Sequence, residues 1–286
     1  MSLTVLWAGP LTTVQDLGRP GWAHLGVPRS GAADAPSLRL ANRLVGNPDT
    51  AAGCETTLLG CTLRLADARW VAVTGAPAPV SVGGAAAAAG TPLRVPAGGT
   101  LTVGAATGGL RSYVAVGGGI DVPRTLGSRA TDRLSGLGPA PLADGDVLQL
   151  GPPPGPPAPV DLAPVPALPA EPVLRLAPGP RADWLAGRGH ELLGTAAFTV
   201  SPDSDRIGLR LQDPVLPRCR DDELPSEPIV LGALQLPADG RPVLFLADHP
   251  TTGGYPVVGV VHPADVPLAA QARPGSRLRF RPVRPS

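Results

Sequence analysis

The chain has 286 residues with 24 basic and 23 acidic side chains, a formal net charge of +1, so neither nucleic acid nor an anionic membrane surface is indicated as a partner. Every basic residue is an arginine, which excludes a Schiff-base lysine, a Walker-type phosphate lysine and a biotinyl or lipoyl lysine within this chain. A length of 286 residues can bury a substantial core and suggests two domains, and 43% apolar residues argue for a globular, β-rich chain although Gly (37) and Pro (38) are abundant.

Three cysteines, Cys54, Cys61 and Cys219, match no metal-ligand spacing, and the four histidines are scattered. A reduced, cytoplasmic protein without a metal site is the expectation. The opening MSLTVLWAGP lacks a basic region followed by a long apolar core, so no signal peptide is read. Trp70–Leu93 is uncharged but is broken by glycine and proline, which does not make a membrane span.

Leu3–Trp7 reads as a first strand. Leu11–Asp34 follows as a long irregular segment with apolar residues to pack and with Gln15, Asp16, Arg19 and Asp34 among its polar ones; segments of this length inside a domain are usually functional or disordered. Pro36–Val45 (residues 36–45) is the clearest helix, with Asp34 placed to cap it and Gly46 to end it. Leu38, Ala41 and Val45 form its buried stripe, and Asn42 and Arg43 fall on the side expected to face solvent. From Thr56 to Leu150, short strands alternate with Gly, Pro and Asp turns, the spacing of a sandwich or barrel. Glu55, at the entry to this region, is either paired with an arginine or part of a site. These elements make residues 1–150 a first β-rich domain.

Gly151–Pro172 (151–172) is proline-rich and nearly uncharged, a semi-rigid connector at the domain boundary. Residues 173–286 hold strands at Val173–Leu176, Ile207–Leu211 and Arg277–Arg281, a helical turn near Ala182–Leu185, and hardly any helix. That pattern points to a closed β barrel, which leaves no exposed sheet edge. Within this half, Val243–Ala247 and Val257–Val261 read as buried strands around the polar turn Asp248–Pro256. The glycine pair Gly253–Gly254 permits positive φ or close approach of another group. The turn is either a binding loop on a rigid scaffold or a tight hairpin whose hydroxyls satisfy the local backbone.

Taken together, the segments TTVQDLGRPGWAHLGVPRSGAAD at Thr12–Asp34, LANRLVGNP at Leu40–Pro48, TGAPAPVSVGG at Thr74–Gly84, YVAVGGGIDVP at Tyr113–Pro123 and LGSRAT at Leu126–Thr131 resemble the bacterial KipA-like family, whose members are also known as the C component of 5-oxoprolinase. The likeness continues through SPDSDRIGLRL at Ser201–Leu211, GALQLPADGRPV at Gly232–Val243, ADHPTTGGYPVVGVV at Ala247–Val261 and PADVPLAAQARPG at Pro263–Gly275. The family is related to the second-subunit domain of allophanate hydrolase and urea carboxylase, a biotin-dependent carboxyltransferase family. His249–Pro250 departs from its pattern, where a basic residue and a glutamine are common.

The resemblance implies a cyclophilin-like barrel in the C-terminal half. It implies a component of an ATP-dependent enzyme that opens the lactam of 5-oxo-L-proline to L-glutamate together with a homologous B component and an A component. ATP, with Mg, is expected on one of these partners, and no biotin is carried here. On that basis Arg206 is the candidate for the substrate carboxylate or a phosphate, with Asp205 orienting it. Gln235 is a candidate to read the lactam, Thr252 and the Gly253–Gly254 backbone to donate to an anion, and Tyr255 to cover the pocket. Asp248 or His249 is the candidate for proton transfer. Gln15, Asp16, Arg19, Asp34 and Asn42 face the same pocket or a partner. Two other readings are a carboxyltransferase component of a biotin-dependent urea carboxylase or allophanate-type system, and a non-enzymatic antagonist of a kinase inhibitor.

Overall fold

Short runs in which every second residue is apolar bury one face of a strand and leave the other free, and this chain uses them throughout. In the computed structural model, which describes residues 1–157, 159–163, 167–222 and 224–284, they form two compact units. The first contains Met1–Arg19, Ser30–Asp132 and Gly136–Leu168, and the second contains Pro20–Arg29, Arg133–Ser135 and the chain from Pro169 onward.

The first unit carries β1 (Ser2–Trp7), β2 (Thr12–Gln15), α1 (Ala35–Leu44), β3 (Gly53–Thr57), β4 (Cys61–Leu65), β5 (Arg69–Gly75), β6 (Val80–Val82), β7 (Ala85–Ala87), β8 (Leu93–Val95), β9 (Thr100–Val103), β10 (Arg111–Val116) and β11 (Val147–Gln149). They pair into a six-stranded sheet, β11-β1-β4-β9-β6-β7, and a five-stranded sheet, β2-β3-β10-β5-β8. The core lies between them, with Leu3, Val5, Leu63 and Leu101 from one sheet meeting Val14, Cys54, Val73 and Val114 from the other. Val14, Cys54, Val114 and Val73 occupy one cross-strand row, so a one-residue slip of any strand would expel its share of this core.

The opposite face of the five-stranded sheet is covered by α1, where Ala41, Leu44 and Val45 pack on Ala72 and Ala115. Asp34 caps α1 by accepting from the Ser37 backbone N–H at 3.2 Å and the Ser37 hydroxyl at 2.7 Å. Gly46 ends it at φ +75°, a conformation that a residue with a Cβ resists. The strand at Thr12–Gln15 shows that the segment expected to be irregular is partly sheet, paired with β3. Within 151–168, Ala163 is buried against α1 and its N–H bonds the Gly90 carbonyl at 2.9 Å, so part of the proline-rich segment is packed in this unit. Residues 158 and 164–166 of that segment lie outside the described residues.

The second unit contains β12 (Val173–Pro178), α2 (Gly189–Thr195), β13 (Ala197–Thr199), β14 (Gly208–Arg210), β15 (Glu227–Pro228), β16 (Ala233–Gln235), β17 (Val243–Phe245), β18 (Thr252–Gly253), β19 (Val257–Val261), α3 (Val266–Ala270) and β20 (Arg277–Pro282). Seven strands form the order β13-β20-β12-β19-β16-β17-β14. The two outer strands then meet through a bridge between Val200 and Leu211. The Ser201 N–H bonds the Arg210 carbonyl at 2.8 Å and the Gln212 N–H bonds the Thr199 carbonyl at 2.9 Å. The sheet thereby closes on itself, the barrel anticipated from the strand pattern. Leu209, Leu244 and Leu234 stand in one row and are fully buried; each contributes about 2 kcal/mol of apolar burial. Phe198 and Phe280 meet with ring centroids 5.4 Å apart.

The stretch Val243–Val261 is not a hairpin. β17 and β19 both pair with β16, which lies between them, while β18 pairs with β15 in a separate two-stranded ladder. Gly253 and Gly254 do not adopt positive φ. A Cβ on Gly253 would lie 2.6 Å from Ile229 Cδ1 and 2.8 Å from Gln235 Nε2, so any larger residue there would make one of these side-chain ends shift.

Candidate functional site

Alternation along β14, β17 and β16 decides what the barrel wall presents. With Leu209, Leu244 and Leu234 turned inward, the neighbouring row Arg210, Val243 and Gln235 faces the other way. That row forms part of a cavity of about 780 Å³ within the second unit. Ile207, Val243, Phe245 and Pro237 make its apolar surface, and Gln235, Tyr255, Arg210, Arg241, Ser201 and Gln212 supply its neutral and cationic polar groups. Asp203, Asp205, Asp213 and Asp239 complete the lining. Polar and charged groups outnumber apolar ones in this lining, so a ligand here would be held by several hydrogen-bonding and charged contacts over a small apolar floor.

Gln235 is 4% exposed and donates its Nε2 to the Tyr255 carbonyl at 2.9 Å. That bond, together with the close pack of Gly253 against the same amide, fixes the side chain and directs its acceptor oxygen. Asp205 accepts from the Ile207 N–H at 2.8 Å and the Gly208 N–H at 3.2 Å, so its carboxylate holds the turn into β14. Asp239 accepts from the Arg241 N–H at 3.0 Å, and their charged ends lie 3.8 Å apart.

Of the residues singled out from sequence, the cavity gathers Asp205, Gln235 and Tyr255. Arg206 is turned away into a fully buried pair with Asp248, its Nε 2.9 Å from Oδ2 and its Nη2 3.1 Å from Oδ1. Asp248 also accepts from the Arg133 N–H at 3.2 Å. His249 Nδ1 lies 2.8 Å from the Pro250 carbonyl, and its ring lies 6.4 Å from that of Phe245. Thr252 and Gly253 are in the ladder with Pro228 and Glu227, and Gly254 follows them in the same turn.

Gln15, Asp16, Arg19, Asp34 and Asn42 belong to the first unit. Gln15 donates to the Thr13 hydroxyl and the Thr131 carbonyl, both at 3.0 Å. Asp16 accepts from the Ser128 hydroxyl at 2.6 Å, the Arg129 N–H at 2.7 Å and the Gly18 N–H at 2.8 Å. Arg19 bonds the Ala130 carbonyl and pairs with Asp132. Asp34 is the helix cap already described. Asn42, expected on a solvated helix face, is fully buried and donates to the Ala51 carbonyl at 2.8 Å; the helix bears on the following loop at that position. Glu55 is likewise buried. It accepts from the Tyr113 hydroxyl at 2.8 Å and the Ala33 N–H at 3.0 Å and pairs with Arg111 at 3.5 Å. Burial and the adjacent Glu55 carboxylate push the Tyr113 phenol well above its ordinary range, so it remains a neutral donor.

Arg210, Ser201, Gln212, Asp213, Arg241 and Phe245 line the cavity as well, beyond the residues expected from sequence. A signal for Arg210 existed: in a strand, Gly208 and Arg210 share a face while Leu209 takes the other. No comparable signal existed for Ser201, Gln212 and Asp213, which reach the cavity through barrel closure.

A two-unit, mainly β protein with a polar cavity on the wall of a closed barrel is the class these observations define. The model of the carboxyltransferase domain, subdomain A and B, matches residues 25–282, and the chain belongs to that family. It is 36% identical to the C component of 5-oxoprolinase from Escherichia coli K12 over 289 residues, covering 97% of this chain and 90% of the relative. Among solved structures, TTHA0988 matches with a TM-score of 0.89 and 39% identity over 98% of this chain, which spans 55% of that one. The Kluyveromyces lactis urea amidolyase matches with a TM-score of 0.91 and 32% identity over 99% of this chain, which spans 19% of that protein.

Proposed function

We propose that the chain is the C component of an ATP-dependent 5-oxoprolinase, working with the A and B components to open the lactam of 5-oxo-L-proline to L-glutamate. The observation that carries this reading is the near end-to-end likeness to the C component of a 5-oxoprolinase, against a likeness to urea amidolyase confined to a fifth of that protein. TTHA0988 and the amidolyase both carry more chain beside the matching part, which supports work alongside a further polypeptide.

Amide resonance makes a lactam a poor electrophile, so ring opening needs activation of its oxygen and stabilisation of the charge that develops there. ATP supplies that activation in an ATP-dependent enzyme. Lysine is absent, and among the described residues no group of three His, Cys, Asp or Glu side chains is placed to hold a metal, so nothing in this chain marks a dedicated nucleotide site. We therefore assign the nucleotide to a partner polypeptide. The task of this chain's own residues is to hold and orient the lactam. Gln235, fixed through Nε2, offers Oε1 to the lactam N–H, the surface of Ile207, Val243 and Phe245 receives the ring methylenes, and Tyr255 borders the opening.

A second reading, the carboxyltransferase component of a biotin-dependent system, is favoured by the family match and by the amidolyase structure. It requires a separate biotinyl carrier, since this chain has no lysine. Reconstitution separates the two. Glutamate release dependent on ATP and 5-oxoproline, present with all three components and lost without this chain, is the expected result. Glutamate released at the same rate without this chain would overturn the proposal.

A further inference from the structure

Arg210 and Gln235 bracket one residue, Val243, across three adjacent strands: Arg210 pairs with Val243, and Val243 pairs with Gln235. Two interstrand spacings, about 10 Å in all, therefore separate the backbones that carry a guanidinium and an amide on the same face. Both side chains line the cavity. The neighbour of Arg210 on that face is Gly208, where a Cβ would stand 3.0 Å from Val243 Cγ1, so the glycine lets Val243 pack close beside the arginine.

The other arginines of this region are held differently: Arg206 is locked on Asp248 in a buried pair, whereas Arg241 is exposed and lies 3.8 Å from Asp239. Arg210 forms no ion pair among the described residues. Of the four lining carboxylates, Asp205 and Asp239 hold their own turns by accepting backbone N–H groups. Asp203 and Asp213 are exposed and leave the cavity repulsive to an anion except where a cation offsets them.

Resting on the functional reading above, we infer that Arg210 is a specificity-determining residue that takes the substrate carboxylate. A five-membered lactam laid over Val243 presents its N–H edge to Gln235 and its carboxylate to Arg210, which can hold it by two parallel N–H···O bonds. A neutral amide such as urea has no group for Arg210, and the surrounding aspartates do not disfavour it. Arg210 thus supplies the attraction that offsets the lining aspartates for a carboxylated lactam, a contact that an uncharged amide cannot make.

The test is steady-state kinetics of the reconstituted three-component enzyme carrying Arg210→Gln or Arg210→Lys, with 2-pyrrolidinone as a competing neutral lactam. In Arg210→Gln the KM for 5-oxo-L-proline is expected to rise about tenfold or more, as loss of a charge-assisted hydrogen bond dictates. The kcat is expected to stay near that of the wild type, and inhibition by 2-pyrrolidinone to be unchanged. Arg210→Lys, which keeps the charge but not the planar fork, should fall between. An unchanged KM in a folded Arg210→Gln enzyme, or equal weakening of 2-pyrrolidinone, would overturn the inference while leaving the proposed function intact. No glutamate from the wild-type mixture would remove the functional reading and this inference with it.

Discussion

Arg19 and Asp132 form an ion pair at 3.5 Å in which neither side chain has any solvent exposure. Each is also the last residue of its segment in the first unit before the chain enters a stretch grouped with the second. Removing one partner of a buried pair leaves an uncompensated charge, at a cost of about 3–5 kcal/mol. Asp132→Ala should lower the urea midpoint accordingly. The double change Arg19→Met with Asp132→Leu should be less damaging than either single truncation, because both desolvation penalties disappear together. Equal midpoints for Asp132→Ala and wild type would refute this.

Arg206 and Arg210 are four residues apart, yet opposite behaviour is expected of them. Arg206 is buried against Asp248, so Arg206→Ala should destabilise the second unit by about 3–5 kcal/mol. Arg210 is exposed, so Arg210→Ala should stay within about 0.5 kcal/mol of wild type. Thermal unfolding of the two variants side by side checks the contrast.

Gly253→Ala should disturb Gln235 without unfolding the barrel. The added methyl meets Ile229 Cδ1 at 2.6 Å and Gln235 Nε2 at 2.8 Å, which forces one of them to shift. A raised KM for 5-oxo-L-proline is expected, partly restored by Ile229→Val, which removes the closer clash. If Gly253→Ala alone leaves KM as it was, the fixed position of Gln235 is not what binding requires.

Thiol labelling should distinguish the three cysteines. Cys219 is exposed, whereas Cys54 and Cys61 have no exposure in the core of the first unit. Burial raises both of the latter thiols, that of Cys61 to about 12, and the thiolate is the reactive form. One equivalent of reagent should be taken up by the native chain and three in denaturant, as read by mass spectrometry.

The Arg175–Asp265 contact sets a direction for acid sensitivity. Arg175 donates Nε to Asp265 Oδ2 at 2.8 Å and Nη2 to Oδ1 at 2.7 Å. These bonds hold the Asp265 carboxyl below its usual range. The resulting stability is fully present above the unfolded carboxyl value of about 3.9 and is lost as pH falls through the lower folded value. The gap in urea midpoint between wild type and Asp265→Asn should therefore be constant near neutrality and close in acid.

The sequence made visible whatever depends on local pattern. The cap at Asp34, the helix beyond it and its stop at Gly46 follow from side-chain chemistry at fixed spacing, and they formed within one residue of expectation. Strand existence was equally legible, but strand pairing was not. β16 lies between the two flanks of the Asp248–Pro256 turn, and no local signal distinguishes that from a hairpin. The same limit governed the cavity. Gln235 and Tyr255 were identifiable as polar residues among apolar ones, but the orientation of Arg206 depends on Asp248, 42 positions away. Asn42 was misplaced because helical periodicity describes a cylinder and not the loop that packs on it.

The barrel closes along a seam of few backbone bonds, at Thr199, Ser201 and Gln212, and Ser201, Arg210 and Gln212 on that seam also line the cavity. A molecule seated there would touch both margins of the join and so act as a clasp, adding its own contacts to the thinnest part of the cylinder. Occupancy should then be legible in amide exchange: the N–H groups of Ser201 and Gln212 should slow when the site is filled, while those of the β12–β19 ladder, opposite the seam in the strand order, keep their rates.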